Sequence, residues 1–241
     1  MNFVIPMAGK GTRFITAGYS TPKALLGAHG KTLLEWSIDS LPLGLSTRLV
    51  FVGLKKQSRD LERIINKKYE EYSPLFVWLE NTTRGQSETV LKATPYCDES
   101  RSLLIYNIDT AFKSATLAVA LVSSASDGVL GAFRSNESRF SFAALNDDGF
   151  VARVAEKAPI SDYALTGLYH FQSTKDFIRV AEDAIKHAKV VKGEYFVAPL
   201  YDELINEGKR FTIDLCDQVD ILGTPDEYEA FLQTKRFVGL Q

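Results

Sequence analysis

Short apolar runs and longer amphipathic stretches take turns along the first half of this chain, and that alternation constrains the fold more than any other feature. Phe3-Val4-Ile5, Arg48–Leu54 (RLVFVGL), Leu75–Leu79 and Ser102–Tyr106 (SLLIY) are apolar almost throughout. A run apolar on both faces suits a strand covered on both sides. Between these runs, Thr32–Leu41 carries Leu33, Leu34, Ile38 and Leu41 at helical spacing. Lys55–Tyr72 is charged, with a stripe of Leu61, Ile64 and Ile65, and Glu88–Lys92 and Ala115–Ser123 are further helical patches. Strands alternating with helices imply βαβ units, so the expected class is α/β. The expected architecture is a Rossmann-like, mixed but mostly parallel central sheet flanked by helices.

The second half has a more antiparallel texture. Gly128–Phe133, Ser141–Asn146 and Val151–Glu156 are short runs, and Asn146-Asp147-Asp148-Gly149 is a hairpin turn signal between the last two. Tyr163–Phe171 and Arg210–Leu215 read as strands, and Lys175–His187 and Phe196–Glu207 as helices. Pro225 opens a last helix through Leu232, with Asp226 and Glu227 suited to its N-terminal dipole. No repeat, low-complexity tract or linker divides the chain. One domain over residues 1–241 is expected, with the second half completing the first half's sheet and adding a small antiparallel lobe.

The first strand runs straight into FVIPMAGKGTRFITAGYSTPKALL, residues 3–26. Glycines at 9 and 11 let a backbone approach a bulky anion and aim N–H groups at it. Arg13 and Lys23 add cations to the same loop, and a guanidinium holds a phosphate by a two-pronged contact. The spacing is not that of a Walker loop, and Gly9-x-Gly11 lacks the third glycine of the dinucleotide fingerprint. A bare G-x-G also fits an ordinary tight turn.

Composition narrows the partners. A formal charge of −2 over 241 residues argues against a general nucleic-acid binder. No apolar run approaches a membrane span and no secretion signal is visible, so no membrane partner and a cytoplasmic location are expected. Cys97 and Cys216 are too few for a disulfide scaffold or a cysteine metal site and read as inert packing residues. The scattered His29, His170 and His187 do not suggest a metal cluster.

The longer string G-x-G-T-R-F followed by Thr21-Pro22-Lys23 resembles the signature of sugar-phosphate nucleotidyltransferases, which join a nucleoside triphosphate to a sugar 1-phosphate. Further likenesses fall at residues 107–110, 156–171, 193–202 and 220–232. The resemblance implies a GT-A-like nucleotidyltransferase fold. Residues up to about 127 would form its nucleotide half, and those from about 128 its acceptor half. It implies a triphosphate site of Ala8, Gly9, Gly11, Thr12, Arg13 and Lys23, with Arg13 and Lys23 as catalytic cations. Asp109, just past the strand ending at Tyr106, would hold Mg²⁺, since such sheets bind ligands at the carboxyl ends of their strands. The same aspartate also fits a helix N-cap.

Glu156-Lys157-Ala158-Pro159 resembles the family's E-K-x-P. By that likeness Lys157 holds the acceptor's phosphate and Glu156 one of its polar groups. Gly167, in a segment like A-x-T-G-[ILV]-Y, lets the backbone approach the acceptor, and Glu194, in a segment like G-E-[YF], contacts it.

Two segments depart from the family. A D-x-G-T motif usually completes the metal site, yet Asp220 stands three residues before Gly223. In a strand, a shift of one residue turns a side chain to the other face. A bulge would restore Asp220 as a second metal ligand; otherwise Asp109 holds the metal with phosphates and water. At the base-reading segment, residues 79–87 with Gly85 among them, Glu80 stands where thymidylyl and uridylyl enzymes tend to have glutamine. An ionised carboxylate only accepts hydrogen bonds, and cytosine offers an N4 donor, so CTP is the favoured nucleotide; an exposed strand-end glutamate is the other reading.

The expected reaction is nucleotidyl transfer to a sugar 1-phosphate or another small phosphorylated acceptor, for capsule or surface-glycan precursors. A related-fold glycosyltransferase would want Asp-x-Asp where Asn107-Ile108-Asp109 stands. A nucleotide-binding regulator is a third reading. Oligomeric state is not readable.

Overall fold

The computed structural model describes residues 1–234. In the first half, β1 (Asn2–Pro6) leads into a one-turn helix α1 (Thr12–Thr16) and a two-stranded hairpin, β2 (Gly27–Ala28) and β3 (Lys31–Thr32). Then come α2 (Leu33–Ile38), β4 (Arg48–Leu54), α3 (Ser58–Tyr69), β5 (Leu75–Leu79), α4 (Gln86–Leu91), β6 (Leu103–Tyr106), β7 (Thr110–Lys113) and α5 (Leu117–Val122). The second half holds β8 (Gly128–Arg134), β9 (Ser141–Leu145), β10 (Val151–Glu156), β11 (Tyr163–Phe171), α6 (Thr174–Lys186), α7 (Leu200–Asn206), β12 (Phe211–Leu215), β13 (Gln218–Ile221) and α8 (Pro225–Leu232).

The main sheet runs β10-β9-β11-β6-β1-β4-β5, with β8 beside β11 and β12 beside β8. Pairings β6-β1, β1-β4 and β4-β5 are parallel, and β11 joins antiparallel to β6. This is the mixed, mostly parallel α/β sheet expected of the chain. Alternation divides each central strand between two cores. Val4, Val50, Val52 and Ile105 face α4, α6 and α7, packing with Val90, Phe177, Val180 and Tyr201. Phe3, Ile5, Phe51 and Leu104 face α2, α3 and α5, packing with Leu34, Ile38, Leu61, Ile65 and Leu117.

Helix starts follow side-chain chemistry. Thr32 and Glu35 form a reciprocal capping box at α2, and Ser173 caps α6. Thr224 caps α8 with Pro225 in its first turn. Three features depart from the expectations. The loop after β1 contains α1, which buries only Phe14 and so has no periodic stripe to read. The helix expected over Phe196–Glu207 begins at Leu200, with Pro199 as its cap. Within the antiparallel-looking half, β12 runs parallel to β8.

The route of the chain positions the site. It leaves β1, builds β4 and β5 on one side, then returns to place β6 on the other. The reversal opens a crevice at the carboxyl ends of β1 and β6, where ligands bind in open α/β sheets.

Candidate active site

The loops leaving β1 and β6 deliver their polar residues to that crevice. After Pro6 come a buried Ala8 and then Gly9, Lys10, Gly11, Thr12 and Arg13, all exposed or half-exposed. Gly11 takes φ 64, a conformation that favours glycine, and caps α1. Gly9 has an ordinary φ, and a Cβ built on it would meet nothing within 4 Å. Neither packing nor backbone geometry of the protein itself requires glycine there, and the space beside it is open.

Lys23 follows Pro22 in a single 3₁₀ turn, Lys23–Leu25. Its ammonium makes an ion pair with Asp109, three residues past the end of β6. The lysine side chain is only 11% exposed and sits 6.0 Å from the centre of the Phe14 ring. The Asp109 carboxylate is 57% exposed. Past Asp109 the chain enters β7, a strand, so the helix-cap reading of this aspartate is removed.

Opposite β7 lies β13, and the four pairs from Thr110↔Ile221 to Lys113↔Gln218 are in continuous register. No bulge interrupts them. Asp220 lies opposite Ala111, and the Leu222 N–H donates to the Asp109 carbonyl at 2.7 Å. Ile221, two residues before Gly223, packs against the cluster of Phe133, Phe142 and Ala164. Asp220 keeps the other face. Among the described residues no group of three or more His, Cys, Asp or Glu gathers as a metal cluster. A lone carboxylate of hard oxygens still suits Mg²⁺, which takes one or two carboxylates and completes its shell with phosphates and water.

At the end of β10 stands the Glu156-Lys157 pair. Glu156 is 6% exposed, accepts a hydrogen bond from Ser141 on β9 and lies 3.9 Å from the Lys157 ammonium. Burial pushes its carboxyl above the usual range, against the pull of Ser141 and Lys157, and Glu194 pushes it the same way as burial. Lys157 itself adopts φ 56, and its ammonium stands 4.4 Å from the centre of the Phe196 ring. Lys192, in the turn before Glu194, also acts on the Glu156 charge. Glu156, Lys157 and Glu194 are therefore brought together. Ser141, which completes the cluster with Phe196, lies in no matched segment, and Phe196 follows the G-E-[YF]-like segment without a role of its own.

Gly85 joins the Glu194-Tyr195 segment to the one carrying Glu80. A Cβ at Gly85 would fall 2.3 Å from the Tyr195 nitrogen and 2.4 Å from its carbonyl oxygen. The Tyr195 N–H donates to the Arg84 carbonyl at 3.1 Å, and the Ser87 N–H and hydroxyl both donate to the Tyr195 carbonyl. Only glycine admits so close a backbone approach. Glu80 is 70% exposed and forms a 2.5 Å ion pair with Lys55, at the ends of neighbouring strands β5 and β4. Gly167, at φ +87 in β11, underlies Asn107. Both cysteines are half-buried, and burial pushes both thiols up to about 11, consistent with inert packing residues.

Residues 3–186 match the model of the MobA-like NTP transferase domain family. The chain belongs to that family. This NTP transferase is 30% identical over 230 residues to the UTP–glucose-1-phosphate uridylyltransferase AglF of Haloferax volcanii, covering 89% of this chain and 86% of AglF. Among solved structures, it superposes on a nucleoside-diphosphate-sugar pyrophosphorylase from Vibrio cholerae RC9 with a TM-score of 0.82 and 34% identity, covering 96% of this chain and 100% of that one. The inositol-1-phosphate CTP transferase of T. maritima shares the fold, with a TM-score of 0.75 at 15% identity over 95% of this chain and 93% of that one. The NTP transferase is a sugar-phosphate-type nucleotidyltransferase by family, with the mixed α/β fold that its relatives share. No helix among its described residues is long and apolar enough to cross a membrane.

Proposed function

We propose that this transferase moves a nucleoside monophosphate, CMP in preference, from its triphosphate to a sugar 1-phosphate or another small phosphorylated acceptor, with release of pyrophosphate. The observation that carries the reading is the Lys23–Asp109 pair at the β1/β6 crevice, with Glu156 and Lys157 gathered at the end of β10. Ala8, Gly9, Gly11 and Thr12 line the triphosphate, while Arg13 and Lys23 neutralise its β- and γ-phosphates. Lys157 holds the acceptor's phosphate in line, and Glu156, Gly167 and Glu194 hold the rest of the acceptor. An acceptor phosphate oxygen attacks the α-phosphorus. The bond from that phosphorus to the bridging oxygen breaks, and the electron pair leaves with pyrophosphate. Positioning and charge neutralisation account for most of the rate in such a displacement.

The family is typically divalent-metal dependent. Asp109 would hold Mg²⁺ with phosphates and water, and the ion when bound supplies Lewis acidity at the α-phosphate. A contribution from Asp220 is tested by Asp220→Asn, which lowers metal affinity only if that carboxylate reaches the ion.

Glu80 carries the cytidine preference by accepting from N4 of the base. Lys55 favours a second reading, because its ammonium beside Glu80 is a donor suited to O4 of uracil, and one relative is named for UTP. The test is pyrophosphate release with CTP, UTP, GTP, ATP and dTTP, each against a panel of sugar 1-phosphates and phospho-alcohols. CTP turnover at least tenfold above the others is expected. A UTP or dTTP preference removes the cytidine assignment, and no pyrophosphate with any pair returns the chain to the regulator reading. A cytoplasmic role in making precursors for capsule or surface glycans goes with this activity.

A further inference from the structure

Asn107 stands where an Asp-x-Asp pattern would place its first carboxylate, and the proposed function gives it no task. Its backbone N–H donates to the Gly167 carbonyl at 3.2 Å. Its side-chain Oδ1 accepts from Nε2 of Gln86, the first residue of α4. A Cβ on Gly167 would fall 2.7 Å from Asn107 Nδ2. The amide therefore lies against the glycine, its oxygen turned to Gln86 and its NH₂ turned to the β11 backbone. No described residue accepts a hydrogen bond from that NH₂. Asn107 is half-buried and stands two residues before Asp109, beside Gly167 of β11 and Gln86 of α4.

We infer that Asn107 Nδ2 donates to the incoming acceptor, and that Gln86 is the positioning residue that fixes the amide in this orientation. An amide placed with its acceptor half engaged has only donor chemistry left to offer. That chemistry suits an anionic, oxygen-rich acceptor. A carboxylate at the same position would set a second negative charge beside the acceptor's phosphate. The neutral residue in Asn107-Ile108-Asp109 thus selects for a phosphorylated acceptor. This inference rests on the acceptor site proposed for Glu156, Lys157, Gly167 and Glu194.

Two variants test it. Asn107→Asp keeps the shape and the oxygen facing Gln86 but replaces the donor with a second acceptor. Gln86→Glu leaves Asn107 intact but offers it only an acceptor, so the amide turns over and shows its oxygen to the acceptor site. KM for both substrates is measured with the sugar 1-phosphate of highest turnover, glucose 1-phosphate first. Each variant is expected to raise the acceptor KM at least tenfold, about 1.4 kcal/mol, the scale of one hydrogen bond. The nucleotide KM is expected to stay within threefold, with melting temperatures unchanged. An acceptor KM within threefold of the parent in either variant, or a rise in the nucleotide KM instead, overturns the assignment. Lys157→Ala serves as the control. If it also leaves the acceptor KM unchanged, the acceptor site itself is misplaced; if it raises that KM while the other two do not, only the role of Asn107 falls.

Discussion

Gly9 and Gly85 carry the same expectation, contact with the nucleotide, and alanine at each separates two reasons for a glycine. At Gly85 the new Cβ would lie 2.3 Å from the Tyr195 nitrogen and 2.4 Å from its oxygen, both backbone atoms that cannot swing away. Relief requires the Tyr195 segment to move by about an ångström, the gap between these distances and an ordinary contact. That motion breaks the Tyr195-to-Arg84 hydrogen bond and the two bonds from Ser87, which span 3.0–3.1 Å. At ~1 kcal/mol for each buried bond the cost is ~3 kcal/mol. For a chain of this size that lowers the melting temperature by about 6–12 °C. At Gly9 the Cβ enters open space, so the melting temperature should stay within ~2 °C while nucleotide affinity falls at least tenfold. Thermal unfolding monitored by circular dichroism, with calorimetric titration of CTP, reads both quantities. A Gly85→Ala protein that melts with the parent would refute the packing argument. A Gly9→Ala protein that binds CTP normally would show that the space beside it is not the nucleotide's.

Lys157→Ala should reduce turnover at least a hundredfold while leaving CTP binding within threefold, read by pyrophosphate release beside calorimetry. Chelation with EDTA should abolish turnover, and Asp109→Asn should do the same at saturating Mg²⁺; persistence of activity in that variant would remove the metal role. Glu156→Gln should stabilise the fold at neutral pH. The Glu156 carboxyl is raised in the folded state, so its favourable contribution is full below the unfolded value of about 4.5 and is lost as pH rises through the folded value. The stability gap between variant and parent should therefore widen with rising pH and close below pH ~4, as read from denaturant midpoints across pH. Cys97 and Cys216 should react with a thiol reagent at pH 8 at least tenfold more slowly in the folded protein than in the unfolded one, because burial holds both thiols up at about 11.

The buried strands were legible because their residues satisfy a local rule. Phe3-Val4-Ile5, Leu49–Leu54 and Leu103–Tyr106 are buried on both faces, and a strand so covered must be apolar along its length; Leu75–Leu79, at the edge of the sheet, is only half-buried. Helix α1 escaped because one buried Phe14 makes no period. The β12–β8 pairing escaped because parallel partners far apart in the chain leave no mark in either segment alone. Gly9, Gly11, Lys23, Asp109 and Glu156-Lys157 lie in contiguous motifs, which is what makes them candidates in the sequence. Ser141 lies in no matched segment, Phe196 and Asn107 lie inside matched segments and Gln86 inside the base-reading one, none of which assigns them a role, and Asn107 stands out in the sequence only for the carboxylate it lacks.

Read alone, the chain determined which residues bear charge, which runs must be buried and where glycine frees the backbone, since these depend on side-chain chemistry and spacing. Folding decided which of them meet. Lys23 reaches Asp109 only because the strand order reverses between β1 and β6, and Gly85 proves to be a joint for Tyr195 only once residues more than a hundred positions apart are laid together. Contacts between distant segments depend on how the sheet closes around its core, and no local pattern encodes that.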